Sequence, residues 1–267
     1  MSSKSLLDAF QKIGNENRTA LLTYTVGGDP NADISLEIFK SIANSGADII
    51  ECGLGHGANI GDGGAIQDST YRALSNGIKT DDVFKIIKDF KKEFEQNIII
   101  MTYQNKIMSY GEENFIKKCN ESSVSGIICV DWPWPLNLDF ANKCKANDLT
   151  FIQLLCPTTS DDRLKSILSD AHDVVYYISM LSTTGQKLKV GSDEIIKKFN
   201  QIKSITPEKK CIIGFGITQD TISDFKGTDA CVVGSELCRN ITSSINDGQN
   251  PATKIGQIVS DLKERLS

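Results

Sequence analysis

Glu51 closes the apolar run Ala47-Asp48-Ile49-Ile50 and leads into Cys52-Gly53-Leu54-Gly55-His56-Gly57-Ala58-Asn59-Ile60-Gly61-Asp62-Gly63-Gly64. Two chemistries fit such a stretch. A glycine turn after a strand can cradle phosphate through backbone N–H groups. Two carboxylates held over a substrate can instead divide acid–base work, one kept protonated and one kept ionised by its surroundings. Gly53-x-Gly55-x-x-Ala58 matches a relaxed dinucleotide fingerprint, but a true fingerprint opens directly into a helix. Here the loop continues through Gly61, Gly63 and Gly64 before "AIQDSTYRAL" takes up helical periodicity, so the nucleotide reading is the weaker. A carboxylate at a strand end is costly to desolvate and tends to be kept for chemistry or for a partner. The plainer reading of Glu51 is a surface residue where the strand leaves the core. Asp62 carries less alone, because Asp-Gly is a common turn dipeptide.

The elements that must position these residues repeat along the chain. Apolar runs of strand length, "ALLTYTV", "ADIIECG", "NIIIMTY", "GIICVD", "TFIQLLC", "VVYYIS", "KCIIGFG" and "ACVVGS", alternate with helical stretches, among them "TQDTISDFKG". The runs are apolar throughout rather than alternating, as parallel strands covered on both faces require. Asp33, Thr80, Ser160 and Ser192 are placed to start helices, and Gly46 and Gly77 to end them. The opening "MSSKSLLDAFQKIG" reads as an extra amphipathic helix with Leu6, Leu7, Phe10 and Ile13 on one stripe. Eight βα units mean a closed (β/α)8 barrel or an open doubly wound sheet. The count of eight and the length of 267 residues favour an α/β TIM barrel with an added N-terminal helix. No linker or compositional break divides the chain, so the expectation is one domain over residues 1–267.

Barrel chemistry sits at the C-terminal ends of the strands. Those ends carry Gly28-Asp29-Pro30, Glu51, Tyr103, Asp131, Cys156-Pro157, Ser179, Gly214-Phe215-Gly216 and Gly234-Ser235. Barrels often bind phosphate with the loops after strands 7 and 8. "GFGIT" and "VVGSEL" stand in those places; either alone could be a plain turn, and together they favour a phosphate ligand.

Composition narrows the partners. The net charge of −5 gives no basic face for nucleic acid, and "KDFKK" (88–92) reads as a solvated helix face. The start lacks the long apolar core of a signal peptide, and no run approaches the roughly 18 apolar residues needed to span a bilayer. No membrane association is expected, and a cytoplasmic location is. The eight cysteines are scattered within apolar runs and read as small buried hydrophobes. His56 and His172 are too few and too far apart to make a metal cluster, so no metal is expected, and His56 is given no part in the chemistry.

"YTVGGDP", "GADIIECG", "DGGAIQDSTYRAL", "MTYQN", "CPTTSDDRL", "VVYYIS" with a following Thr-Thr-Gly, "GFGIT" and "VVGSEL" occur in the order and spacing of the tryptophan synthase alpha chain family. The resemblance covers nearly the whole chain. It implies a (β/α)8 barrel that cleaves indole-3-glycerol phosphate to indole and glyceraldehyde 3-phosphate, a carbon–carbon lyase without metal or organic cofactor. It implies an α2β2 complex with a tryptophan synthase beta chain in tryptophan biosynthesis. Glu51 matches the family's catalytic glutamate and Asp62 its catalytic aspartate, which favours the two-carboxylate reading. Phosphate contacts map onto Gly185, Gly216, Gly234 and Ser235, and indole packing onto Tyr24, Ile66, Tyr103 and Phe215, which would otherwise be read as core. Tyr176 matches a tyrosine near the glutamate, and Thr184 the threonine of the loop after strand 6.

The chain departs from the family in its loops. Gly55-His56-Gly57-Ala58-Asn59 stands where Pro-Phe-Ser-Asp-Pro is usual, Lys106 follows Asn105 in place of proline, and Ser182-Thr183-Thr184-Gly185 replaces Gly-Val-Thr-Gly. Trp132-Pro133-Trp134-Pro135 holds both tryptophans, as an interface anchor or as rigid loop packing. The loops after strands 2 and 3 face the beta chain in the family, so these changes bear on coupling to a partner. The alternatives are a free-standing lyase, a non-catalytic subunit that binds the phosphate ligand and activates a beta chain, or another sugar-phosphate barrel enzyme.

Overall fold

The computed structural model describes residues 6–179, 191–214 and 216–267. Among them are nine strands: β1 (Ala20–Val26), β2 (Ile49–Gly53), β3 (Asn97–Thr102), β4 (Val124–Cys129), β5 (Thr150–Phe151), β6 (Gln153–Leu155), β7 (Val174–Ile178), β8 (Lys210–Gly214) and β9 (Ala230–Val233). They form one sheet in the order β5-β4-β3-β2-β1-β9-β8-β7-β6, every pairing parallel. The eight staves expected become nine because the fifth is interrupted at Ile152. Its first half pairs with β4 and its second with β7, and the Ile152 N–H donates to the Ile127 carbonyl at 2.8 Å. One stave thus touches both ends of the sheet and closes a TIM barrel.

Period-two alternation sends the side chains into two cores. Leu22, Tyr24, Ile49, Ile99, Met101, Ile128, Tyr176 and Ile212 pack inside the ring. Leu21, Ile50, Cys52, Ile98, Ile100, Ile127, Val175 and Ile213 turn outward into the layer beneath the helices. The helix Leu6–Asn15 adds Leu6, Phe10 and Ile13 to the inner core. Leu6 lies against Gly126 near the start of β4, so this helix plugs the N-terminal mouth of the barrel and leaves the other mouth for chemistry. Leu7 is only half buried, because it lies about 100° round the helix from Leu6 and falls off the stripe.

Some local expectations are corrected. Asn31, not Asp33, caps the helix Ala32–Asn44; its side chain accepts the Ile34 N–H at 3.0 Å. Thr80 and Ser192 are first residues of Thr80–Phe90 and Ser192–Ile205, whose caps are Lys79 and Gly191. Ser160 does precede Asp161–Asp170, and Gly46 and Gly77 take φ of +96° and +80° just past their helices. "TQDTISDFKG" forms only the 3-10 turn Ile222–Phe225, because the Thr221 hydroxyl takes the Thr218 N–H and competes with a helical start. A helix the sequence did not announce, Gln104–Tyr110, follows β3; the Asp131 carboxylate accepts the Gln104 N–H at 2.7 Å. All eight cysteines are free and seven are buried. Among the described residues no helix is long and apolar enough to cross a membrane.

Candidate active site

Because Ile49 points inward and Ile50 and Cys52 outward, the pleat of β2 turns Glu51 into the barrel. The side chain is 1% exposed, between Tyr24 on β1 and Ile99 on β3 in register. Among the described residues its Oε1 has no hydrogen-bond partner and no cation compensates it. Burial alone pushes the carboxyl up to about 8. Tyr176 on β7 is fully buried close by, where burial and then a charge on Glu51 raise its hydroxyl well above the usual range. Two glycines make the room. A Cβ at Gly53 would collide with the Tyr24 ring, and one at Gly214 with the Tyr176 ring. Sequence reading had no way to see that these glycines are the space two tyrosines occupy.

Asp62 lies beyond the glycine-rich loop, directly before the N-cap Gly63 of the helix Gly64–Ser75. It is 5% exposed, and burial raises its carboxyl above the ordinary value. Three groups oppose that rise. The Asn59 side-chain amide and the Tyr103 hydroxyl face the carboxylate, and His56 stands nearby. The positive end of the following helix also favours the ionised form. Tyr24 is the link between the two carboxylates. It is in register with Glu51, and Asp62 follows burial as the second cause that raises its hydroxyl. The arrangement therefore holds one carboxyl neutral near pH 7 by burial alone, beside another whose rise is opposed by polar neighbours and a helix start.

Gly234 and Ser235 open the helix Ser235–Asn246, whose first N–H groups point out of its start. Glu236 accepts the Gln219 N–H at 3.0 Å, which ties this start to the loop after β8, where Gly216 takes φ of +74°. A Cβ at Gly234 would lie 3.0 Å from the Tyr24 Cβ, so this anion-suited corner adjoins the carboxylates. Ile66 is buried in the inner core with Tyr24 and Tyr176. The structure thus gathers Glu51, Asp62, Tyr24, Tyr103, Tyr176 and Ile66 at one mouth, with Gly216, Gly234 and Ser235 on the Tyr24 side. Thr184, Gly185 and Phe215 lie outside the described residues. Among those residues, no three His, Cys, Asp or Glu side chains are arranged to hold a metal ion.

One ion pair after β1 was not expected from the sequence. Asp29, 1% exposed, receives Arg72 Nε at 2.8 Å and Nη2 at 2.7 Å, and Arg72 Nη1 donates to the Thr242 hydroxyl at 2.9 Å. This fork joins the loop after β1, the helix that follows Asp62 and the helix that starts at Ser235. "GGDP" signals an aspartate at a strand end, but nothing local identifies a partner 43 residues away. The paired tryptophans are used within the chain. Trp132 donates to the Leu136 carbonyl and stacks on Phe140, while Trp134 donates to Asp170 under the Arg163 guanidinium. Loop packing therefore accounts for them.

The family model for the tryptophan synthase alpha chain matches residues 10–267. The chain belongs to the tryptophan synthase alpha chain family. The tryptophan synthase alpha chain of Pelagibacter ubique is 52% identical over 260 residues, 97% of this chain and 98% of its own length. That of Methanocaldococcus jannaschii is 33% identical, covering 91% of this chain and 86% of its own. The solved tryptophan synthase subunit alpha of Legionella pneumophila superposes with a TM-score of 0.88 at 26% identity, over 97% of each chain. Family membership accounts for the order of the strand-end residues gathered at the barrel mouth.

Proposed function

We infer that the chain cleaves indole-3-glycerol phosphate to indole and glyceraldehyde 3-phosphate, as the alpha component of tryptophan synthase in tryptophan biosynthesis. The observation that carries this reading is a carboxyl group buried inside the barrel, with no compensating cation among the described residues, and thereby held protonated near neutral pH. Cleavage needs a proton delivered to indole C3, which turns the ring into its indolenine tautomer. It then needs the proton removed from the C3′ hydroxyl. As that O–H becomes C=O, the C3–C3′ bond breaks and its electron pair restores the indole. Glu51 gives the first proton and takes the second, so the carboxyl ends as it began. A value of about 8 suits both steps at pH 7. Asp62, favoured as an anion, accepts the indole N–H and stabilises the positive charge of the indolenine. Ile66, Tyr24 and Tyr103 bound the ring, and Gly216, Gly234 and Ser235 receive the phosphate through backbone N–H groups and a hydroxyl.

The family supports a tryptophan synthase beta chain as partner, in an α2β2 assembly in the cytoplasm. The test is indole release from indole-3-glycerol phosphate by the purified chain, alone and with a beta chain, for the wild type and Glu51→Gln. Release that rises with the beta chain and falls by about 100-fold or more in Glu51→Gln, the ordinary worth of a general acid–base group, supports the reading. A wild type inert under both conditions rejects it. Rapid release that a beta chain leaves unchanged would point to a free-standing lyase.

A further inference from the structure

The loop that carries Asp62 has little of its own to hold it. A Cβ at Gly57 or Gly64 would meet no atom within 4 Å, and neither residue adopts a positive φ. These glycines answer no steric or conformational demand, so what they contribute is backbone freedom. Ala58 and Ile60 are exposed. Order in the segment must come from a few side-chain contacts.

His56 makes two of them. Its Nδ1 accepts the Ala58 N–H at 2.9 Å, which folds the loop back on the imidazole. Its ring lies over Tyr103, with centroids 5.2 Å apart and planes inclined by 29°. Tyr103 is the residue through which this matters. Its hydroxyl oxygen accepts the Gly61 N–H at 3.1 Å and stands close to the Asp62 carboxylate. The chain of contacts runs from His56 to the Tyr103 ring, and from the Tyr103 hydroxyl to the Gly61 backbone directly before Asp62. Two short backbone bonds, Ile60 N–H to Ala58 and Asp62 N–H to Asn59, and the Gln67 side-chain amide on the Asp62 carbonyl at 2.9 Å add to them.

We propose that His56 is a positioning residue for Asp62, its stacked ring holding the Tyr103 hydroxyl in place so that the carboxylate is set before substrate arrives. The proposal rests on the reaction inferred above. An aromatic pair of this geometry contributes a modest interaction beyond its buried area, and ordering the loop beforehand removes a cost that substrate binding would otherwise carry. The effect therefore belongs mainly to KM.

The test is a set of variants assayed for indole release from indole-3-glycerol phosphate. His56→Ala should lower kcat/KM about tenfold, equivalent to roughly 1.4 kcal/mol, chiefly through KM, with kcat within about twofold. His56→Phe keeps the ring and should stay within about threefold of the wild type. In a Tyr103→Phe background, which keeps the stacking partner but removes the hydroxyl, His56→Ala should cost less than about twofold, since its route to Asp62 is already cut. Equal losses in both backgrounds, a Phe variant as impaired as Ala, or an undiminished His56→Ala would each overturn the proposal. The two readings fail separately. A wild type that releases no indole defeats the reaction, whereas an active wild type indifferent to His56 defeats only the positioning role.

Discussion

Replacing Glu51 by Gln should abolish a loss of stability that the wild type undergoes as pH rises, while removing the proton that the reaction needs. The folded carboxyl sits at about 8 against an ordinary 4.5. Between those values the folded state retains a proton that the unfolded chain has released, so stability falls with rising pH across that window. The contribution is fully present below about 4.5 and gone above about 8. Each pH unit inside the window is worth about 1.4 kcal/mol. Between pH 5 and pH 7 the wild type should therefore lose about 2–3 kcal/mol that the Glu51→Gln variant, with no group to titrate at this position, does not lose. Other titrating groups act on both proteins and cancel in the difference. Urea denaturation of both proteins at the two pH values measures it, and at roughly 2–4 °C per kcal/mol for a chain of this size thermal melts should separate accordingly. A stability gap that changes by less than about 0.5 kcal/mol would mean that Glu51 titrates as a solvated carboxyl. The acid–base assignment would then lose its physical basis, whatever the activity of the variant.

Arg72→Met strands the buried Asp29 carboxylate, and urea denaturation should show a loss of about 3–5 kcal/mol that Asp29→Asn in the same chain partly restores. Gly214→Ala drives a methyl group into the Tyr176 ring; overpacking should cost about 1–3 kcal/mol, and indole release should fall by at least tenfold because Tyr176 must leave the side of Glu51. Ser235→Ala removes one hydroxyl donor from the phosphate corner, so steady-state kinetics should show KM raised by roughly 5–10-fold, the worth of one hydrogen bond of about 1 kcal/mol, with kcat nearly unchanged.

What could be read from the sequence depended on whether a signal was local. Glu51 was legible because one carboxylate ends a run of residues that otherwise demands burial, and strand periodicity then fixes which way it points. Asp62 was not, since an Asp-Gly pair in a loop is ordinary; only its burial against Tyr103 and Tyr24 distinguishes it. The corner proposed for phosphate was legible as two glycine-bearing turns after late strands, which the structure places beside Tyr24. The Asp29–Arg72 fork was hidden because it joins three segments distant in the chain. The helix Gln104–Tyr110 was hidden for a similar reason, as the carboxylate that receives its first N–H comes from the loop after the neighbouring strand. Cap residues missed by one or two positions because Asn31 and Asp33 offer equivalent chemistry to one helix start, and only backbone conformation chooses between them.

The two carboxylates stand on supports of different stiffness, and the tasks proposed for them explain the assignment. Glu51 belongs to a strand paired in register on both sides, with its neighbours Ile49 and Ile50 fully buried. Asp62 closes a loop in which Gly57, like Gly64 just beyond it, answers no steric need. A proton moves only when donor and acceptor reach hydrogen-bond distance, so a shuttle loses its function within an ångström of displacement. A charge that stabilises a developing cation acts through a potential that falls only as the inverse of distance, and it tolerates a support that settles as the ligand binds. The distance-critical group is fixed by the sheet. The group that acts through its field is left to a loop, and in that loop the side-chain contacts of His56 and Tyr103 supply the order that the backbone lacks.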